Sequence, residues 1–292
     1  AAALHAGGVV GAVTFNVRTG EYEEQISIPQ ITGASMTNTV TFQSETGDSS
    51  DAVLKFGAAT NVANYVLQLN GTDWFRFEKM TLKNTGTGSY TRVVDITGAA
   101  TNNRFENNEI IGYNIGSTGS NYALVFSTGS QDNNNSYLDN RLLEGSYGFY
   151  LYGSGSASLE SGTVIQGNSL EGQYYMGIYL VYHNAPWMIG NEISTDSPYS
   201  GFYGIYGEYL QNNFKITHNY LHDLPWNNGI YLGSCSGTSL LRGLTANNFL
   251  SLGNGTGNDG QGIYLASCNF QDVFHNNVNW NSTDDNNTYA FF

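Results

Sequence analysis

Basic residues are scarce. The 292-residue chain holds ten Lys plus Arg against 24 Asp plus Glu, a formal net charge of −14. A field of that sign repels nucleic acid, anionic membranes and acidic polysaccharides, so neutral partners are favoured. The dispersed acids also serve solubility on their own. Long apolar runs are missing: no stretch of about eighteen apolar residues occurs, which excludes a helical membrane span, and no basic-then-apolar opening marks a signal peptide. No amphipathic helical stretch of about ten residues occurs either, which excludes helical and leucine-rich repeats. Charged residues make up only 12% of the chain, while hydrophobic residues at 40% argue against disorder.

What is present is a repeated phrase. It reads Gly-Phe-Tyr-Leu at Gly148 to Leu151, then Gly-Ile-Tyr-Leu or Gly-Ile-Tyr-Gly from Gly177, Gly204, Gly229 and Gly262. A second phrase, apolar-x-x-Asn-x-apolar, accompanies it, and its asparagines step by 32, 28, 23, 28, 29 and 29 residues from Asn108 to Asn277. Short runs of strand-like alternation fill each period, parted by Gly, Asn, Ser and Asp. Coils of roughly 20 to 30 residues built from short strands and polar turns are the units of a parallel β-helix, whose inward side chains form one continuous column. The expected architecture is therefore all-β, a right-handed single-stranded parallel β-helix of one domain over residues 1–292. Residues 1–8 read as the end of a capping helix closed by glycine, 9–107 as N-terminal coils, 108–280 as regular coils and 281–292 as a tail or cap. An opening inside a helix suggests a mature or excised portion of a longer secreted protein.

The segment Gly7-Gly8-Val9-Val10-Gly11 through Gln25-Ile26, with Val40-Thr41-Phe42-Gln43, Tyr65-Val66-Leu67-Gln68-Leu69-Asn70-Gly71 and Asn102-Asn103-Arg104-Phe105, resembles right-handed β-helix proteins of the pectate-lyase-like superfamily. It is similar in particular to β-helix regions of large secreted surface proteins of Bacteroidota. The resemblance implies the fold, a capping helix ahead of the Gly-Gly-Val turn, and a secreted or cell-surface location. It implies no single activity, because that superfamily includes lyases, glycoside hydrolases, epimerases and proteins without known catalysis.

Alternation within the repeated phrase puts Ile and Leu on one side and Tyr on the other. Tyr150, Tyr179, Tyr206, Tyr231 and Tyr264 then form an outward ladder. Such a ladder either stabilises the sheet by stacking or offers flat ring faces with hydroxyl rims to sugar rings or a partner protein. A second column holds Glu144, Glu171 and Asp223 with His222, carboxylates whose stacking could supply acid and base groups on neighbouring coils, although solvated turns carry similar acids. Neither the Arg-Pro-x-x-Arg signature of pectate lyases nor the Asn-x-Asp, Asp-Asp and His-Gly set of polygalacturonases is found; Asp284-Asp285 stands without its companions. His218 and His222 share a face only on a helix, so no zinc site is expected. Turns such as Gln131 to Asn135, Gly253 to Gly260 and Thr283 to Asn287 carry oxygen ligands suited to Ca²⁺ but in no fixed spacing, and turn chemistry explains them. No cofactor is expected. The repeated Asn reads as an internal amide ladder.

Cys235 and Cys268 each follow the repeated Tyr by four residues, so they occupy one column on neighbouring coils. A spacing of about 4.8 Å between coils admits a disulfide, and two stacked buried thiols fit equally well. The apolar tail Thr288 to Phe292 either folds over the last coil or continues into another domain or protomer. Two functions follow. One is an extracellular structural, adhesive or glycan-binding rod, with a neutral glycan or cell-surface partner, self-association end to end, and neither nucleic acid nor membrane insertion. The other is a polysaccharide hydrolase or lyase using Glu144, Glu171, His222 and Asp223. Nothing in the chain decides that it is an enzyme, and the balance leans against it.

Overall fold

The computed structural model describes residues 2–58, 60–113, 116–129, 131–224, 228–253, 260–280 and 289–291. Three parallel sheets of ten strands each run the length of the molecule, and every strand pairs with its counterparts one coil before and one coil after. The chain visits the three sheets in turn, so it is a parallel β-helix. A strand that returns to its own sheet through such a crossover does so right-handedly, because only that hand suits the strand twist. A helix, Ala2–Gly7, precedes the first coil; Gly8 takes φ +64° and its N–H closes on Leu4 O at 2.8 Å. The tail residues Tyr289–Phe291 form the tenth strand of the third sheet, paired with Gln261–Ala266. Thr283 to Asn287, Asp284-Asp285 and residues 254–259 of the glycine-rich turn lie outside the described residues.

Inward positions explain the apolar phrases. In the second sheet Leu82, Ile110, Leu142, Leu170, Ile193, Leu221 and Leu250 stack in register and are fully buried. Each such side chain contributes about 1.5–3 kcal/mol on burial. The first sheet begins with an inward aromatic stack, Phe77 on Phe105 at 5.0 Å and Phe105 on Tyr137 at 5.7 Å, before aliphatic Ile165 and Met188 take over.

The corners are held by the amide ladder. The main-chain N–H of Asn108 donates to Oδ1 of Asn140 at 3.0 Å, and the same bond recurs from Asn140 to Asn168, Asn191, Asn219 and Asn248. Its final link runs from Asn248 to Asn276 rather than to Asn277, because Asn277 already begins the next strand. Each Nδ2 also donates to the carbonyl of an earlier strand, as Asn191 does to Ile165 O at 2.9 Å. Buried turn amides that would otherwise lack partners are thereby satisfied.

Glycine opens the Gly-Ile-Tyr-Leu phrase for a steric reason. A Cβ added at Gly148, Gly177, Gly204, Gly229 or Gly262 would stand 2.5–3.0 Å from a carbonyl oxygen of the following coil.

Candidate functional site: the tyrosine face

Ile and Leu of the repeated phrase enter the core, so alternation sends the intervening Tyr outward. Strand register then stacks Tyr150 on Tyr179, Tyr206, Tyr231 and Tyr264. Successive ring centroids lie 4.8, 5.3, 4.6 and 5.4 Å apart, and Phe126 extends the stack toward the N-terminus at 5.2 Å from Tyr150. The Arg92 guanidinium covers Phe126, 3.2 Å from its centroid, and lies 3.7 Å from Asp95. Burial pulls Arg92 down to about 10.

From Phe126 to Tyr231 the ring faces are thus spent on one another and on Arg92, while Tyr264 is tilted by 45° to Tyr231. This differs from flat faces open to sugars: parallel strands hold equivalent side chains one coil apart, close to ring-stacking distance. Edges and hydroxyls form the accessible surface. Tyr147 meets Tyr150 edge-on at 5.1 Å and Tyr203 meets Tyr206 at 5.5 Å, while Tyr152 meets Tyr182 edge-on at 5.3 Å and Tyr182 stacks on Tyr209 at 4.8 Å. Burial, and then the neighbouring phenols, push Tyr147 well above the usual phenol range; burial with Tyr150 and Glu208 does the same to Tyr179. The hydroxyls therefore stay protonated and can both donate and accept.

Glu208 is a residue that the sequence reading passed over. It stands two positions after Tyr206 and so shares its outward face; Tyr206 Oη donates to its Oε2 at 3.2 Å. Alternation alone would have found it.

The acidic column lies on the second sheet. Glu144 turns the corner with φ +66° and its N–H donates to Glu171 O at 2.9 Å, so these two residues are brought together. Arg141 donates to both oxygens of Glu171 at 3.1 and 3.0 Å and also reaches Glu109 at 2.8 Å. That guanidinium holds the Glu171 carboxyl below its ordinary range. His222 forms another group: Nδ1 meets Asp223 at 2.7 Å, Nε2 meets Glu192 at 2.9 Å, and the ring stacks on Tyr220 at 4.3 Å. The strand Glu192–Ser194 separates the two groups, which puts them two coils, or about 10 Å, apart. Glu171 and His222 are each engaged by a partner of their own.

Cys235 and Cys268 are neighbours as thiols, Cys235 buried and Cys268 half-buried. Cys235 Sγ lies 3.4 Å from Gly233 O and Cys268 Sγ 3.4 Å from Leu232 O. In the Gln131 to Asn135 turn, oxygens suited to Ca²⁺ serve the chain instead: Asp132 accepts from Ala100 N and Ser127 Oγ, and Asn135 Oδ1 from Asn103 N.

A family profile described as NosD, periplasmic copper-binding protein, matches residues 125–284, more than half of the chain. No curated protein matches. Among solved structures, a pectin methylesterase from Yersinia enterocolitica is similar at 12% identity and TM-score 0.48, over 97% of this chain and 93% of that one. Bacteriophage CBA120 tailspike protein 3 is similar at 13% identity and TM-score 0.44, over 96% of this chain and 48% of the other. Among the described residues no helix is long and apolar enough to cross a membrane.

Proposed function

We propose, from the premise that this chain belongs to the NosD family, that it is a secreted or cell-surface β-helix module with a structural, adhesive or glycan-binding role, whose contact surface is the tyrosine face. One observation carries this reading. Phenol hydroxyls recur at the coil spacing from Tyr150 to Tyr264, a row of donors and acceptors suited to an extended polymer lying along the solenoid. A neutral glycan fits such a row through its own hydroxyls.

The rival reading, a polysaccharide hydrolase or lyase, needs an acid and a base free to exchange protons at one bond. Arg141 on Glu171, and the two carboxylates on His222, favour the non-catalytic reading. Self-association belongs to the proposal as well, since Phe274, Tyr289 and Phe291 expose aromatic surface on the last strands.

Copper, which the family description names, calls for thiolate, imidazole or thioether donors gathered at one point. All five histidines, both cysteines and all four methionines fall among the described residues. No three His, Cys, Asp or Glu side chains among the described residues gather into a group able to hold a metal ion. These residues do not fit a copper centre, and no role here is routed through one.

The test is a panel of neutral and acidic polysaccharides scored for retention of the protein, release of reducing ends and unsaturated products. Retention without product, lost when Tyr179, Tyr206 and Tyr231 are replaced by Ala, is the expected result. Product that disappears in Glu171→Ala or Asp223→Ala would install the enzyme reading instead. Deleting residues 289–292 should abolish any concentration-dependent growth in sedimentation.

A further inference from the structure

The tyrosine face carries two carboxylates, and their surroundings differ. Asp95 continues the ladder column one coil before Phe126, where it faces Arg92 at 3.7 Å and accepts from Gln68 Nε2 at 2.8 Å. Its charge is compensated locally. Glu208 sits within the ladder, with no Lys, Arg or His among the described residues at ion-pair distance. Among the described residues its one side-chain hydrogen-bond partner is the Tyr206 hydroxyl, a neutral donor. Burial holds the phenols of Tyr179 and Tyr231 in the protonated form, and a hydrogen bond with Tyr152 that of Tyr182; the Glu208 charge adds to each.

Glu208 stands in the column next to the ladder. Along its own column the side chains run Tyr152, Val181, Glu208, Gly233 and Ala266, so the carboxylate borders residues with almost no side chain on its C-terminal side. The Tyr231 ring leans into the place that a Gly233 side chain would occupy, 2.9 Å from such a Cβ. A carboxylate without a cation at ion-pair distance, with the Tyr206 hydroxyl on it and the Tyr231 ring over the neighbouring Gly233, is a receptor for an ammonium group. The charge-assisted bond replaces water on both ions, and phenol oxygens accept the remaining N–H groups. The formal charge of −14 draws a cation toward the surface.

We infer that the tyrosine face binds an amine-bearing linear glycan, a polymer of unacetylated amino sugar, with one ammonium group seated on Glu208 and the chain's hydroxyls paired to the ladder. This rests on the glycan-binding reading above and deepens it: the regular phenol row fits a hydroxyl-bearing polymer, and Glu208 selects the one that carries amines. A lysine-rich peptide would satisfy Glu208 but leave the row of phenols without matching hydroxyls.

The test compares β-1,4-linked glucosamine oligomers with N-acetylated oligomers of equal length, by calorimetry, on wild-type protein, Glu208→Gln and Tyr206→Phe. Polylysine serves as competitor. The expected result is about tenfold tighter binding of the amine form, as one charge-assisted bond provides. Glu208→Gln should erase that preference. Equal binding of both oligomers by the wild type, or a preference that survives Glu208→Gln, overturns the inference and leaves the glycan-binding reading standing. Polylysine displacing the oligomer with the same Glu208 dependence overturns the glycan assignment. If no oligomer and no neutral polysaccharide binds, both readings fall. Glu208 lies on the outer face, and the melting temperature of Glu208→Gln checks that the fold is kept.

Discussion

Replacing Glu160 with Gln should flatten the fall of stability above neutral pH. Glu160 is 2% exposed, and its Oε2 lies 3.6 Å from Nε2 of His183, which is 0% exposed. Among the described residues, neither Glu160 Oε1 nor His183 Nε2 has a hydrogen-bond partner. Burial, with the Asp132 carboxylate close by, pushes Glu160 up to about 8 from 4.5. Burial pulls His183 down to about 4 from 6.5. Tyr137 also faces the group, and burial keeps its phenol protonated throughout. Between pH 4.5 and about 8 the folded protein keeps a proton on Glu160 that the unfolded chain has released, so stability falls as pH rises. His183 acts oppositely between about 4 and 6.5, where only the unfolded chain is protonated and stability rises with pH. The two slopes offset each other from pH 4.5 to 6.5. Above that, Glu160 acts alone, with a slope of about 1.4 kcal/mol per pH unit and a loss of about 2 kcal/mol by pH 8. Urea unfolding of both proteins at pH 6.5, 7.25 and 8 reads the difference directly. Parallel stability curves for wild type and Glu160→Gln would refute the reasoning, since other titrating groups are common to both.

Gly204→Ala should cost about 1–3 kcal/mol, because the new methyl group meets Gly229 O at 3.0 Å and the Leu221 side chain in a packed corner; an unchanged urea midpoint would count against that clash. Asn191→Ala removes a ladder link that accepts from Asn168 N and donates to Ile165 O and Asn219 Oδ1, and leaves buried groups unpaired. The expected loss is roughly 2–4 kcal/mol by chemical denaturation. The shared proton of the thiol pair pulls Cys268 below the usual thiol range and pushes Cys235 up. Iodoacetamide near neutral pH should therefore label Cys268 well before Cys235, which peptide mass mapping reads. Equal labelling would contradict that ordering.

The fold was legible because a solenoid writes its periodicity along the chain. Gly-Ile-Tyr-Leu carries the inward Ile and Leu, the outward Tyr and the closely packed Gly in four letters, and five successive coils repeat the same constraint or a one-letter variant of it. The Asn phrase was equally readable up to its last step, where two adjacent asparagines, Asn276 and Asn277, left the register undecided until strand pairing assigned the ladder to Asn276. The site was legible only as a row of residue types. Outward alternation gives the Tyr column, but whether the rings show faces or edges depends on coil spacing, and stacking at 4.6–5.3 Å from Tyr150 to Tyr231 takes the faces away. The same limit applies to the acids. Glu171 and His222 look free in a sequence because Arg141 and Glu192, the residues that occupy them, lie 30 positions away. Glu208 presents the reverse case: it looks like one more surface acid, and only its place among the tyrosines, with the Tyr206 hydroxyl at 3.2 Å and the Tyr231 ring over the neighbouring Gly233, sets it apart. In a solenoid the neighbours that decide a side chain's chemistry sit one coil away, so a local reading recovers which residues face outward and misses what each of them meets there.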